Sequence, residues 1–204
     1  MAVTPAKENI LKRIRQALSH PVPLPFPQSE GSNSLFHKPA DSLDVVFAQE
    51  FISMQGKFVY CMDENEMRQQ LRLLIDERQW TKIFCNNDEW NEAFSTTINL
   101  AGCDASITGC EFLVARTGTI VLSAAQQSGR TVSVYAPVHI CIAYTSQLVY
   151  DVKDALQKIK EKYNENIPSL ISFATGPSRT ADIEKTLVTG VHGPREVYCF
   201  LIEA

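Results

Sequence analysis

The 204-residue chain has no C-x-x-C pair, no G-x-G-x-x-G, no G-x-x-x-x-G-K-[ST] and no G-x-S-x-G. Without clustered thiols, iron–sulfur and zinc sites lack their ligands. Without the glycine loops, dinucleotide and P-loop chemistry lack their phosphate cradles. Without an elbow serine, a triad of Ser178, a histidine and Asp182 has no strained turn to expose its nucleophile. Neither H-x-x-x-H nor H-E-x-x-H occurs, so His139, His192 and Asp182 do not read as a metal set. There is no apolar run near the roughly 18 residues that span a bilayer. With a net charge of -4 and no long basic run, nothing marks a nucleic-acid footprint. The opening "MAVTPAKENILKRIRQAL" lacks an h-region and includes Glu8, so the expectation is a cytoplasmic protein without a secretory signal. No internal repeat is present.

The chain is 45% hydrophobic and 21% charged, which suits one globular core with a possible appendage. Its six cysteines are dispersed, and Cys61, Cys85, Cys141 and Cys199 lie in apolar runs where a thiol acts as a small hydrophobe. Only Cys103 and Cys110 flank a glycine turn that could host redox chemistry. Residues 6–18 read as an amphipathic helix with Ile10, Leu11, Ile14 and Leu18 on one face. The following "HPVPLPFPQSEGSNS" is a proline strap that neither extends a helix nor joins a central strand. The expected division is an arm over 1–40 and an α/β domain over 41–204. A helix this short must pack on its own core or on another subunit, so the arm is a candidate for homo-oligomer formation.

From Asp41 a strand–helix rhythm sets in. "DSLDVVFAQEFISM" reads as a helix, "KFVYC" as a strand, and "DENEMRQQLRLLIDERQ" as a helix capped by Asp63 with Glu66 three residues on. "KIFCN" is the next strand, and "DEWNEAFSTTINLAG" the next helix, with Trp90, Ala93, Phe94, Thr97 and Ile98 on one face and Gly102 as its stop. These units predict a mainly parallel sheet flanked by helices. Between Ser106 and Thr145 there are only short apolar runs, "FLVA", "TIVLSAA", "TVSVYA" and "HICIAYT", which add an antiparallel portion. A helix "DVKDALQKIKEKY", a strand "SLISFA" and a final strand "EVYCFLIE" follow.

Four polar bends are candidate sites. "TGPSRTADIE" (175–184) leaves strand 170–174 and is expected to start a helix containing Ile183 and Leu187, at the carboxyl end of a strand where α/β sheets bind ligands. There Gly176 permits close approach, Ser178 and Thr180 supply hydroxyls, and Arg179 supplies a fork for carboxylate or phosphate, although capping explains the same residues. "ARTGTIVLS" holds the Thr117–Gly118–Thr119 hinge, which a bulge explains equally well. His139, within "PVHI", reads as a core histidine. "GVHGPREV" places His192 and Arg195 at a tight bend, while His20 and His37 sit in or beside the arm and read as inert.

Taken in order, "ARTGTIVL", "SGR", "PVHI", "TGPSRTADIE" and "GVHGPREVYCFLI" resemble the LUD-domain family, nearest the lactate-utilisation proteins of the LutC (YkgG) type, over roughly residues 41–204. The resemblance implies a fold of the NagB/RpiA/CoA-transferase kind. It also implies a bacterial cytoplasmic system that oxidises L-lactate to pyruvate alongside iron–sulfur partner proteins, which carry the clusters while this chain has no cofactor of its own. Family members commonly have an acid just before Thr-Gly, where this chain has Arg116. The leading expectation is therefore a subunit that holds a small carboxylate or phosphate at Thr117, Gly118, Thr119, Gly176, Ser178, Arg179, Thr180 and Arg195. Catalytic residues are not assigned; His192, Glu184 and Asp182 are the candidates. One alternative is a stand-alone enzyme acting on a CoA ester or phosphosugar, for which Glu184 or Glu111 would be the nucleophile. Another is a regulatory or interaction module that docks through its arm.

Overall fold

The computed structural model describes residues 5–19, 41–164, 166–181 and 187–204, so the strap, His20, His37, Asp182, Ile183 and Glu184 lie outside the described residues. The chain divides into two compact units, Met1–Lys38 and Pro39–Ala204. The first contains α1 (Pro5–Leu18), on which Ile10, Leu11 and Ile14 are exposed. The second runs α2 (Leu43–Ser53), β1 (Lys57–Cys61), α3 (Glu64–Arg78), β2 (Ile83–Cys85), α4 (Asn91–Phe94), β3 (Ala105–Thr108), β4 (Phe112–Val114) and β5 (Thr119–Ser123). It continues with α5 (Val132–Tyr135), β6 (Val138–Tyr144), β7 (Leu148–Val149), α6 (Val152–Tyr163), β8 (Ile171–Ala174), β9 (Arg179–Ala181), β10 (Leu187–Thr189) and β11 (Glu196–Ile202).

The main sheet has the order β1-β11-β6-β3-β2 and is parallel throughout. Alternation along its strands makes two faces. Ile107, Ile140, Ile142, Phe200 and Ile202 face Met67 and Leu71 of α3 and Phe94 of α4. Cys141, Val197, Cys199 and Leu201 face Phe47 and Phe51 of α2 and a second sheet, β7-β4-β5-β8. In that second sheet β5 pairs antiparallel with both β4 and β8, and its far side packs Val114 and Val121 on Ala155 and Ile159 of α6. The mainly parallel sheet with an antiparallel portion is thus present as two stacked sheets.

Local signals explain several boundaries. Asp63 caps α3 by accepting the Glu66 N–H at 2.8 Å, and the Glu66 carboxylate accepts from Met62 N at 2.7 Å. Gln79, left-handed at φ 55°, ends that helix. Asp151 caps α6, and it also receives both Arg116 Nε and an Arg116 terminal nitrogen at 3.1 Å. Arg116 therefore ties the hinge before β5 to the start of α6, and its fork holds the Asp151 carboxyl below the usual carboxylate range.

Four expectations are corrected. The strand–helix–strand run through α3 does not join neighbouring strands, because β1 and β2 form opposite edges of the sheet. The helix expected over "DEWNEAFSTTINLAG" is the single turn α4. Beyond it Thr96 N donates to Ile83 O (2.9 Å) and Thr96 Oγ1 accepts from Ile83 N (2.8 Å), so the chain caps β2 and leaves Ile98 wholly exposed. "TVSVYA" alternates like a strand but forms the turn α5, with Ser106 Oγ donating to Val132 O at 2.8 Å and Pro137 blocking continuation. Among the described residues no helix follows "TGPSR": Arg179–Ala181 pairs antiparallel with Leu187–Thr189, placing Leu187 in a strand rather than the expected helix. Ser178 N donates to Pro194 O and Gly190 N to Ser178 O, both at 2.9 Å, so the bend at 190–194 clamps the base of this hairpin.

Candidate functional site

Where the amino ends of β6 and β11 meet β5 and β8, the two sheets separate and leave a cavity of about 270 Å³. Its polar lining is Ser133, His139, Ser172, Thr175, Ser178 and His192; Leu122, Val134, Phe173, Pro177, Pro194 and Val197 supply most of the apolar wall. The cavity thus collects α5, the head of the decapeptide and the 192–194 bend, which are far apart in sequence. It does not lie at the carboxyl ends of the parallel strands, where the expected site was placed: His139 is the second residue of β6 and Val197 the second of β11. The strand that feeds it, β8, belongs to the antiparallel sheet, and the next described element is the strand β9 rather than a helix.

His139 forms part of this lining and is buried, 1% exposed. Its Nε2 lies 2.8 Å from the Thr108 hydroxyl, which is itself fully buried. Burial disfavours the imidazolium and lowers its pKa to about 4, so the ring is neutral at physiological pH. Ser178 packs against Gly193, where an added Cβ would stand 2.9 Å from the serine Cβ; the glycine is needed to seat that side chain. His192 is exposed at the rim.

The other expected site residues are placed as follows. Gly176 and Ser178 line the cavity, and Thr117 and Thr119 connect to it through hydroxyls: Thr117 Oγ1 to Thr119 Oγ1 and Thr119 Oγ1 to Thr175 Oγ1 are both 2.7 Å. The two bends therefore stand side by side. Their glycines serve α2, however. A Cβ on Gly118 would lie 2.4 Å from Phe51 N, and one on Gly176 would lie 2.3 Å from Met54 O. Arg179 points elsewhere, with one terminal nitrogen 3.6 Å from Met54 Sδ, while the Arg195 side chain packs over Gly190. Thr180 sits in β9, paired with Val188. No Lys, Arg, Asp or Glu is among the residues described as lining the cavity.

Glu111 is enclosed elsewhere, beneath α6. Its carboxylate accepts from Ser123 (2.5 Å), Tyr163 (2.7 Å) and Lys162 (2.7 Å). Burial alone would push its pKa up; these three donors outweigh it and hold the carboxyl below its usual value. Saturated in this way, it is a structural acid rather than an open nucleophile. All six cysteines are free and buried, and among the described residues no three His, Cys, Asp or Glu side chains are placed to hold a metal ion. No helix among the described residues is long and apolar enough to cross a membrane.

Two cavity residues escaped the sequence reading in different ways. His139 has the pattern of a core histidine and is one at Nε2, while its ring also borders the cavity. Ser133 lay in a stretch misread as a strand, and no local pattern marks it.

Comparison with known proteins places these features in a family. The LUD domain pattern matches residues 6–202. The lactate utilization protein C of Bacillus licheniformis is 39% identical over 48% of this chain and 41% of its own length. An uncharacterized protein of Neisseria meningitidis serogroup B is 38% identical over 56% of this chain and 47% of its own. The matched stretch thus spans less than half the length of either relative. The lactate utilization protein C of an Exiguobacterium species is 28% identical but covers 96% of this chain and 95% of its own. The crystal structure of a DUF162 family protein from Deinococcus radiodurans superposes with a TM-score of 0.58 over 78% of this chain and 96% of that one, at 18% identity, which supports the fold alone.

Proposed function

The chain belongs to the LUD-domain family, and from that premise we propose that it is a lactate-utilisation subunit whose inter-sheet cavity holds a small 2-hydroxy or 2-oxo carboxylate. The relatives named lactate utilization protein C support the pathway. The cavity supports the ligand class. Its volume of about 270 Å³ falls just below the roughly 300–1,000 Å³ of drug-sized sites, so a compact metabolite fits it. Its donors are hydroxyls and imidazoles set in an apolar wall, with no fixed cation among the described lining residues. Among the described lining residues neither anion meets a counter-charge, so a monoanion with several acceptor oxygens leaves less charge unpaired there than a phosphate dianion would. This set of hydroxyl and imidazole donors in an apolar wall is the observation that carries the reading.

In this role the chain positions a ligand of the cytoplasmic oxidation of L-lactate to pyruvate, and iron–sulfur partner proteins carry the electrons. Side chains alone supply no hydride or electron acceptor. Calorimetric titration with L-lactate, pyruvate and inorganic phosphate tests the ligand class. The two carboxylates should bind, phosphate should not, and Ser178→Ala should weaken carboxylate binding about tenfold. Absence of heat with both carboxylates, or affinities indifferent to Ser178→Ala and His192→Ala, would overturn it. Capture of iron–sulfur proteins encoded beside the gene tests the partnership separately.

A further inference from the structure

The His139 imidazole in the cavity wall has two nitrogens in different surroundings, one of them against a buried hydroxyl. Thr108, at the end of β3, and His139, at the start of β6, project from the same sheet face, because Ser106 pairs with His139 and Thr108 with Cys141 in register. Their 2.8 Å contact involves Nε2. No other described group bonds the Thr108 hydroxyl, which is 0% exposed. No described group bonds His139 Nδ1. Yet the only fully enclosed side-chain nitrogen or oxygen without a partner among the described residues is Trp90 Nε1, so Nδ1 retains open space beside it. For a residue lining the cavity, that space is the cavity.

The proton can be placed by exclusion. If Nε2–H donated to the threonine, the buried hydroxyl would keep its own hydrogen with no acceptor, an arrangement that folded proteins avoid. If the hydroxyl donates to a bare Nε2, both groups are satisfied and the ring proton sits on Nδ1. We infer that Thr108 is a positioning residue that locks His139 in its Nδ1–H tautomer, so that the ring presents one N–H donor to a carboxylate or carbonyl oxygen in the cavity. A neutral donor of this kind reads acceptor oxygens without needing a negative charge. It also rejects ligands that offer a hydrogen at that point, because two donors would face each other. The ligand class rests on the function proposed above; the tautomer does not.

Long-range ¹H–¹⁵N spectra of histidine-labelled protein, with His139 assigned from the signals lost in His139→Gln, read the tautomer without any ligand. Between pH 6 and 8, Nε2 should show the shift of an unprotonated acceptor and Nδ1 that of a protonated nitrogen. Thr108→Ser should keep that pattern and Thr108→Val should move it toward a mixture. A wild-type ring protonated on Nε2, or averaged between tautomers, would overturn the inference even if Thr108→Val proved unstable. In titrations with pyruvate, Thr108→Val should weaken binding about tenfold and Thr108→Ser should restore it. Loss in both variants would reduce Thr108 to packing. A wild-type protein that shows the Nδ1–H pattern but does not bind pyruvate would sink the proposed ligand and leave the tautomer assignment standing.

Discussion

Replacing Gly118 by alanine separates two accounts of the hinge before β5: backbone left bare for a ligand, or backbone left bare for a helix. Gly118 has φ +57°, and a Cβ built there would lie 2.4 Å from Phe51 N, 2.6 Å from Glu50 C and 2.7 Å from Phe51 Cα. All three are main-chain atoms of α2, so no side-chain rotation relieves the overlap. Nor can the helix easily retreat, since Phe47 and Phe51 are both fully buried and their rings stack with centroids 5.3 Å apart. Left-handed backbone costs alanine about 1–2 kcal/mol, and overpacking of a filled core about 1–3 kcal/mol. Together they predict a loss of about 2–5 kcal/mol, a large part of a typical folding stability. For a domain of this size that is a fall in Tm of roughly 4–20 °C. Gly102→Ala is the internal control, with φ +75° and nothing within 4 Å of its added Cβ, so it carries the backbone cost alone. Thermal melts and urea titrations of both variants measure the difference. If Gly118→Ala melts within about a degree of Gly102→Ala, the close approach of α2 is not what the glycine serves, and the ligand account regains its place.

Glu111→Gln should destabilise the fold by about 1–3 kcal/mol, because it removes the charged acceptor of two hydroxyl donors and of Lys162, whose half-exposed ammonium water resolvates; chemical denaturation at pH 7 checks this, and an unchanged midpoint refutes it. Since the Glu111 pKa is lowered in the fold, its contribution should be full above the unfolded carboxyl value and fade as pH falls through the folded one, so wild type and Glu111→Gln should converge in acid. His139, lowered from 6.5 to about 4, should behave likewise at higher pH: its neutral burial is favourable above pH 6.5 and costs about 3 kcal/mol by pH 4, a slope that His139→Gln should flatten. Arg179→Ala should change pyruvate affinity less than twofold, because that guanidinium rests on Met54 rather than in the cavity; a tenfold loss in calorimetry would return Arg179 to the site.

Much of the architecture was legible because it depends on local chemistry. The stripe containing Met67 and Leu71, the Asp63 cap and the β-branched runs of β5 and β6 each state their own geometry in a few residues. Where competing interactions act over distance, local reading failed. "STTIN" continues a helical stripe, but Thr96 is captured by Ile83 on β2. "TVSVY" alternates, but Ser106 holds Val132 in a turn. "RTADIE" has a helix-start composition, but its strand is paired by residues 187–189 and clamped by Pro194. In the first two cases a single contact from a strand thirteen or more residues away decided the outcome, and in the third the pairing with 187–189 together with the Pro194 clamp did so.

The candidate site divides along the same line. Gly176, Ser178 and His192 could be singled out because turn chemistry concentrates polar groups at bends, and that signal is local. By itself, the sequence determined a mainly parallel α/β domain, buried thiols, polar bends at 175–180 and 190–195, and a set of motifs sufficient for kinship. Only the tertiary structure decided that Gly118 and Gly176 make room for α2, that Arg179 and Arg195 turn away from the cavity, and that His139 meets Thr108 across two strands. The physical reason is that strand register and sheet stacking bring together residues whose spacing along the chain carries no trace of their contact.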